Sequence, residues 1–158
     1  MPPDAAKPAL EQISYGLYVV GSVNGDDVNG MTANWLTQVS FDPRMVAIAV
    51  ELQARTLANI KVSNVFSVNV IAEADTSLIE KFVEPQTRAG NKLGDVEFRT
   101  GQTGCPILAG ALSWFECEVL QFVLTGDHEL VIGRVLDGGE NREGDPLTLR
   151  AMGWSYGE

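Results

Sequence analysis

The chain is poor in the residues that build metal centres and disulfide frameworks, with two cysteines and one histidine in 158 residues. Cys105 and Cys117 fit neither a CxxC redox pair nor a zinc site, so both are expected to be buried free thiols. His128 alone cannot build a histidine-rich metal centre. Basic residues are also scarce. Eleven Lys and Arg against 21 Asp and Glu leave a net charge of −10, which argues against nucleic acid and anionic membrane as partners. No apolar run approaches the roughly 20 residues that span a bilayer. The N-terminus has three prolines in its first eight residues and lacks the apolar stretch of a signal peptide. A soluble, cytoplasmic protein is expected, with a loose tail over residues 1–8 and one domain over residues 9–158, long enough to bury a core unaided.

Most of the remaining pattern is strand-like. Tyr15 to Val23 is aromatic and β-branched, and the turn chemistry after it predicts a hairpin. A strand is expected from Met31 to Ser40, stopped by Asp42-Pro43 because proline cannot donate to a ladder. Met45 to Val50 is continuously apolar and reads as a buried strand. Phe66, Val68 and Val70 alternate with Ser67 and Asn69, predicting one apolar face. Phe115, Cys117 and Val119 likewise alternate with Glu116 and Glu118, so the two glutamates are expected on a solvated face and not as a paired-carboxylate centre. Leu130 to Leu136 and Leu147 to Arg150 are further strands. Helical spacing predicts short helices near Ala9 to Ile13, Thr56 to Val62 and Ser77 to Phe82. Glu84 to Gly94 reads as a long polar loop. The elements describe a mainly β protein, a β-barrel with a few short helices covering its ends.

One strand is unusual. Asn29 to Pro43 places Gly30, Thr32, Ala33 and Asn34 where a structural strand would carry bulk, which suits a wall against a flat ligand whose edges meet backbone and amide groups. An FMN-like ligand also needs a phosphate site. Arg55 and Thr56, ahead of a helix, offer free N–H groups, a hydroxyl and a guanidinium, although an ordinary helix cap explains the same spacing equally well. Trp35 suits either a flavin contact or the core. Asp26-Asp27 lacks the other positions of a calcium loop, and no glycine-rich dinucleotide fingerprint follows a strand.

Six segments in order bear a family likeness: Ile13-Ser-Tyr-Gly-Leu-Tyr-Val-Val, Asn29 to Ser40 with Asp42-Pro43, Thr56-Leu-Ala-Asn-Ile, Phe66-Ser-Val-Asn-Val, Thr103-Gly-Cys-Pro-Ile, and Gly126-Asp-His128 followed by Gly133-Arg-Val. Together they resemble the flavin reductase family of NAD(P)H:FMN oxidoreductases, including the flavin domain of high-molecular-weight rubredoxin. The resemblance implies an FMN-binding split β-barrel, homodimeric, with FMN rather than FAD as cofactor and NAD(P)H as transient co-substrate. It places Thr32, Ala33, Asn34 and Trp35 along the flavin ring, with Gln38 and Ser40 reaching ring or ribityl oxygens. Arg55 and Thr56 would take the phosphate, helped by Asn59 or by Lys81 or Lys92. His128 would stand on the side where nicotinamide arrives. Rubredoxin-type CxxC pairs are missing, so the acceptor is external: free flavin, a ferric chelate, oxygen or a redox protein. The alternatives are a flavoprotein carrier reduced by a partner protein and a barrel that binds no flavin.

Overall fold

The computed structural model describes residues 4–155, so Met1 to Pro3 of the expected tail lie outside the described residues. Helix α1 (Ala6–Leu10) starts three residues earlier than expected, inside the stretch read as loose, and buries nothing. Eight of the strands follow as β1 (Tyr18–Asn24), β2 (Asp27–Ala33), β3 (Leu36–Phe41), β4 (Arg44–Glu51), β5 (Val65–Val70), the short β6 (Arg88–Ala89) and β7 (Lys92–Leu93), and β8 (Val96–Thr100). The last three are β9 (Pro106–Leu108), β10 (Ser113–Leu124) and β11 (His128–Glu140). Helix α2 (Arg55–Ser63) lies between β4 and β5, and α3 (Thr76–Lys81) between β5 and β6.

Seven strands form one antiparallel sheet in the order β2-β1-β5-β10-β11-β4-β3, and four form a smaller one, β6-β7-β8-β9. The architecture is the split barrel expected. Two cores flank the β1 backbone, whose alternation sends Val19 one way and Val20 the other. Val19 joins Ile71, Ile79, Phe82, Phe98 and Leu108 under the small sheet. Val20 joins Ile48, Phe66, Val68 and Val131 inside the barrel, where the apolar face of α2 delivers Leu57 and Ile60.

Several local expectations are corrected. The strand expected from Met31 to Ser40 is two strands at opposite edges of the large sheet. The physical reason is a change of partner. β1 ends its pairing with β2 at Tyr18↔Ala33, and two residues later the Trp35 carbonyl accepts from the Ala49 amide, opening the ladder with β4 at Leu36↔Ile48. The turn before β2 is also tighter than its composition suggested, with Gly25 alone at positive φ (60°) and Asp27 to Gly30 already in the strand. The loop expected from Glu84 to Gly94 contains the β6–β7 hairpin. β5 is buried on both faces, because Ser67 Oγ donates to the Pro106 carbonyl (2.6 Å) and Asn69 Nδ2 to those of Val19 and Pro106. Leu147 to Arg150 makes only a bridge, Gly16↔Thr148, where a strand was expected.

Glu116 is the largest correction. It is fully buried, not solvated. Its Oε1 accepts from Thr103 N (3.2 Å) and Thr103 Oγ1 (2.5 Å), which pins the loop between β8 and β9 onto the sheet. Glu118 is part-exposed and pairs with Arg134 (2.5 Å).

Both cysteines are buried free thiols, as expected. Burial pushes Cys105 up to about 11 and Cys117 up to about 12, and Glu116 adds to both shifts. Neither thiol should react with iodoacetamide in native protein at pH 8, whereas unfolded protein should take up two equivalents. Because both folded values are raised, the stability they hold is complete below the unfolded value of 9.0 and is lost as pH climbs toward about 11 to 12. Chemical denaturation across that window should show a falling midpoint.

Candidate functional site

The junction of β2 and β3 lines a cleft of about 210 Å³. Thr32, Ala33, Asn34 and Trp35 form one wall, Val50 and Glu51 of β4 another, and His128 at the start of β11 closes it. A second cleft of about 170 Å³ shares Met31 and Val83 with the first and runs to Arg55 and Thr56 at the start of α2. Each alone is small beside the roughly 300 Å³ at which small-molecule sites begin. The two adjoin along β2 and together form the candidate groove, amide-rich at one end and at a helix terminus at the other.

Each wall has an identifiable support. Thr32 N donates to the Phe82 carbonyl (2.9 Å) and Thr32 Oγ1 to the Ile79 carbonyl (2.7 Å), so α3 and the chain after it are fastened to β2. Asn29 Nδ2 donates to the Gln86 carbonyl (3.3 Å), seating the Val83 to Pro85 segment beside the groove. Gly30 is required here, since a Cβ would stand 2.9 Å from Val19 and 3.0 Å from Phe82. At the far side the Trp35 ring lies 4.5 Å from that of His128 (43°) and 6.4 Å from that of Tyr15 (53°). His128 is 7% exposed, and its Nδ1 is 2.7 Å from Asp127 Oδ1. That hydrogen bond, first among the causes, holds the exposed Asp127 carboxyl below the usual carboxylate range.

The expected residues divide into two groups. Thr32, Ala33, Asn34, Trp35, Arg55, Thr56 and His128 all line the groove. Gln38 instead faces a separate cleft with Arg44, Met45, Phe115 and Val135, and its Nε2 donates to the Ser40 carbonyl (3.1 Å). Both lie along the edge strand β3, away from the groove. Asn59 is buried and donates to Ser22 Oγ (3.1 Å) and Asp27 Oδ2 (3.4 Å), a tie between α2 and the β1–β2 hairpin. Lys81 pairs with Asp95 (2.9 Å), and Lys92 stands opposite Glu97 on the small sheet. Neither lines the groove. Its cation is Arg55, whose guanidinium pairs with Asp27. Sequence reasoning missed Glu51, Met31 and the Val83 to Pro85 segment. Their part depends on which strands and loops meet at the junction, and no local pattern reports that.

Two observations test whether the groove suits FMN. Asn34 lines the cleft, and its buried Nδ2 makes no hydrogen bond among the described residues, which leaves one unspent donor beside the site. The start of α2 has no side-chain cap, which leaves its first amides for an anion. A flat heteroaromatic acceptor carrying a phosphate satisfies both ends. Among the described residues no cluster of His, Cys, Asp and Glu could hold a metal ion, and no helix is long and apolar enough to cross a membrane.

Comparison with known proteins agrees with this geometry. Residues 10–154 match the flavin reductase like domain. The chain is 32% identical over 142 residues to the high molecular weight rubredoxin of Moorella thermoacetica, covering 89% of this chain and 62% of that protein. It is thus similar to a part of that longer relative. Among solved structures it is similar to the flavin reductase PheA2 (TM-score 0.82, 30% identity, 100% of this chain and 99% of that one). It is also similar to the styrene monooxygenase flavin reductase of Pseudomonas putida S12 (TM-score 0.79, 29% identity, 98% and 97%).

Proposed function

This chain belongs to the flavin reductase like domain family, and from that premise we propose that it is an NAD(P)H:flavin oxidoreductase that binds FMN in the groove along β2. The observation that carries the reading is the placement of the two clefts side by side along β2, sharing Met31 and Val83, with the uncapped start of α2 at one and the orphaned Asn34 amide and the Trp35–His128 pair at the other. The chemistry a bound flavin supplies is acceptance of a hydride from reduced nicotinamide and its delivery onward. The chain's own residues bind and orient. Arg55, Thr56 and the α2 amides hold the phosphate end, Asn34 meets the ring edge, and Trp35 with His128 sets the face open to the co-substrate. FMN is favoured over FAD because the helix start offers one compact anion site. The external acceptor is a free flavin, a ferric chelate, oxygen or a redox protein such as an oxygenase, the kind of enzyme of which the styrene monooxygenase flavin reductase is a component. Two free buried thiols suit a cytoplasmic location.

Anaerobic mixing of the FMN-loaded protein with NADH and then NADPH tests the reading. Rapid bleaching of the yellow flavin is the expected result. Bleaching only by a reduced partner protein would make the chain a flavoprotein carrier, and failure to bind FMN at all would refute a flavin role.

A homodimer is part of the proposal. Phe41 is 90% exposed and Val39 51% on the edge strand β3, beside a cleft of about 210 Å³ lined by Gln38, Met45, Phe115 and Val135. A second copy covering this surface removes both apolar side chains from water. Light scattering should report a dimer for the native chain and a monomer for Phe41→Asp, with the circular dichroism spectrum unchanged.

A further inference from the structure

We propose that Asp27 is a positioning residue that parks the Arg55 guanidinium, and so narrows the margin by which the groove prefers a phosphorylated flavin over the same ring without phosphate. The inference rests on the flavin reading above, with the phosphate end at the start of α2. Arg55 begins α2 and lines the cleft there, yet its guanidinium is already committed. Its Nε donates to Asp27 Oδ2 (3.0 Å) and a second nitrogen to Oδ1. This two-pronged geometry matches a guanidinium to a carboxylate and equally to a phosphate. An arriving phosphate therefore needs the same N–H groups that Asp27 occupies.

The two partners are not equally able to move. Asp27 opens β2, in register with Asn24, and its Oδ2 also accepts from Asn59 Nδ2 (3.4 Å), a buried side chain anchored in turn on Ser22 Oγ (3.1 Å). Arg55 is 50% exposed on a flexible stem. When a phosphate binds, the guanidinium is the part that shifts and the carboxylate stays. Two costs follow. Arg55 is available only for the fraction of time it spends away from Asp27, which reduces the apparent affinity by that fraction. The carboxylate left behind then stands close to an anion. Glu84 lines the same cleft and adds a second negative charge. Arg88 donates to the neighbouring Asp26 carbonyl (3.2 Å) and, among the described residues, leaves the Asp27 carboxylate to Arg55 and Asn59. Riboflavin has the ring and the ribityl chain but no phosphate, so neither cost touches it.

Fluorescence titration of the whole, flavin-free protein with FMN and separately with riboflavin reads the effect as a ratio of dissociation constants. Asp27→Asn removes the charge and keeps an oxygen for Asn59. It should tighten FMN by about 3- to 10-fold and leave riboflavin within about 2-fold, so the preference for phosphate widens. Asp27→Ser, which also lacks the charge, should widen it likewise, and Asp27→Glu should return the ratio toward that of wild type. In the Arg55→Ala background Asp27→Asn should gain clearly less than in the native background, because the guanidinium it would release is gone. An unchanged ratio in the uncharged variants overturns the proposal. So does an equal tightening of FMN and riboflavin, which would mark a change in the whole groove, or an equal gain with and without Arg55, which would make Asp27 a bare charge. Wild type that binds neither flavin refutes the flavin reading and this inference with it. Wild type that prefers FMN while Asp27→Asn keeps the same ratio refutes this inference alone.

Discussion

Arg55→Ala lowers FMN affinity by about 1–3 kcal/mol, or roughly 5- to 150-fold, as measured by fluorescence titration. The structure makes this more than the loss of one charge. Arg55 holds Asp27 through Nε (3.0 Å to Oδ2) and a second nitrogen, and the two side chains are 50% and 34% exposed. An ion pair so open to water is worth about 0–1 kcal/mol, whereas a charged hydrogen bond to phosphate is worth about 1.5–3 kcal/mol. A phosphate bound at the start of α2 would therefore win the guanidinium from Asp27. Removing Arg55 strips the groove of its cation and also leaves an unpaired carboxylate near the same anion. Asp27→Asn, by contrast, should improve affinity, and in the Arg55→Ala background it should recover part of the loss. If Arg55→Ala binds FMN normally, the phosphate lies elsewhere. Lys81 and Lys92 are then poor substitutes, since one is already paired with Asp95 and the other faces Glu97.

Glu116→Ala costs about 3 kcal/mol of folding stability and lowers the melting temperature by about 6–12 °C. The side chain has no exposure, and Thr103 spends both its backbone N–H and its hydroxyl on Oε1. Truncation leaves those half-buried donors without their acceptor and opens a void under Gly101, where a Cβ would stand 2.4 Å from Oε2. Glu116→Gln keeps an acceptor for Thr103 at nearly the same volume, so its loss should be clearly smaller. Thermal melts followed by circular dichroism distinguish the two. Equal losses would show that the charge, not the hydrogen bonding, holds the loop.

These two residues mark what could and could not be read before the structure. Arg55 was legible because a helix start is a local event. Residues 55 and 56 begin α2 whatever lies around them, and the same holds for the continuous apolar run that gave β4 and the alternation that gave β10. Glu116 was not legible. Its alternation with Cys117 is the signature of a solvated face, and only the return of the Thr103 loop, 13 residues away in sequence, converts that face into an interior. The break at Asn34 and Trp35 was hidden for a similar reason. Nothing in those residues forbids a strand, and the chain leaves β1 because β4 offers the next ladder. Of the residues lining the cleft, Thr32 to Asn34 were pointed to by residue chemistry, and His128 by family likeness. Lysines were harder to place, since a lysine near a site in sequence reveals nothing about which carboxylate will claim it.

The change of partner at Asn34 and Trp35 also bears on how the protein folds. The two strands that meet at the cleft are the first and last of a seven-stranded sheet, and β3 is held through β4 to β11, a pairing that joins residues 45–51 to 128–134. Such distant ladders form late, because the loop between them must be closed before any contact rewards it. A chain halted before that step has no His128 opposite Trp35. Cofactor capture is thereby made conditional on completed folding, and a ligand that binds only the finished sheet draws the late step to completion by mass action.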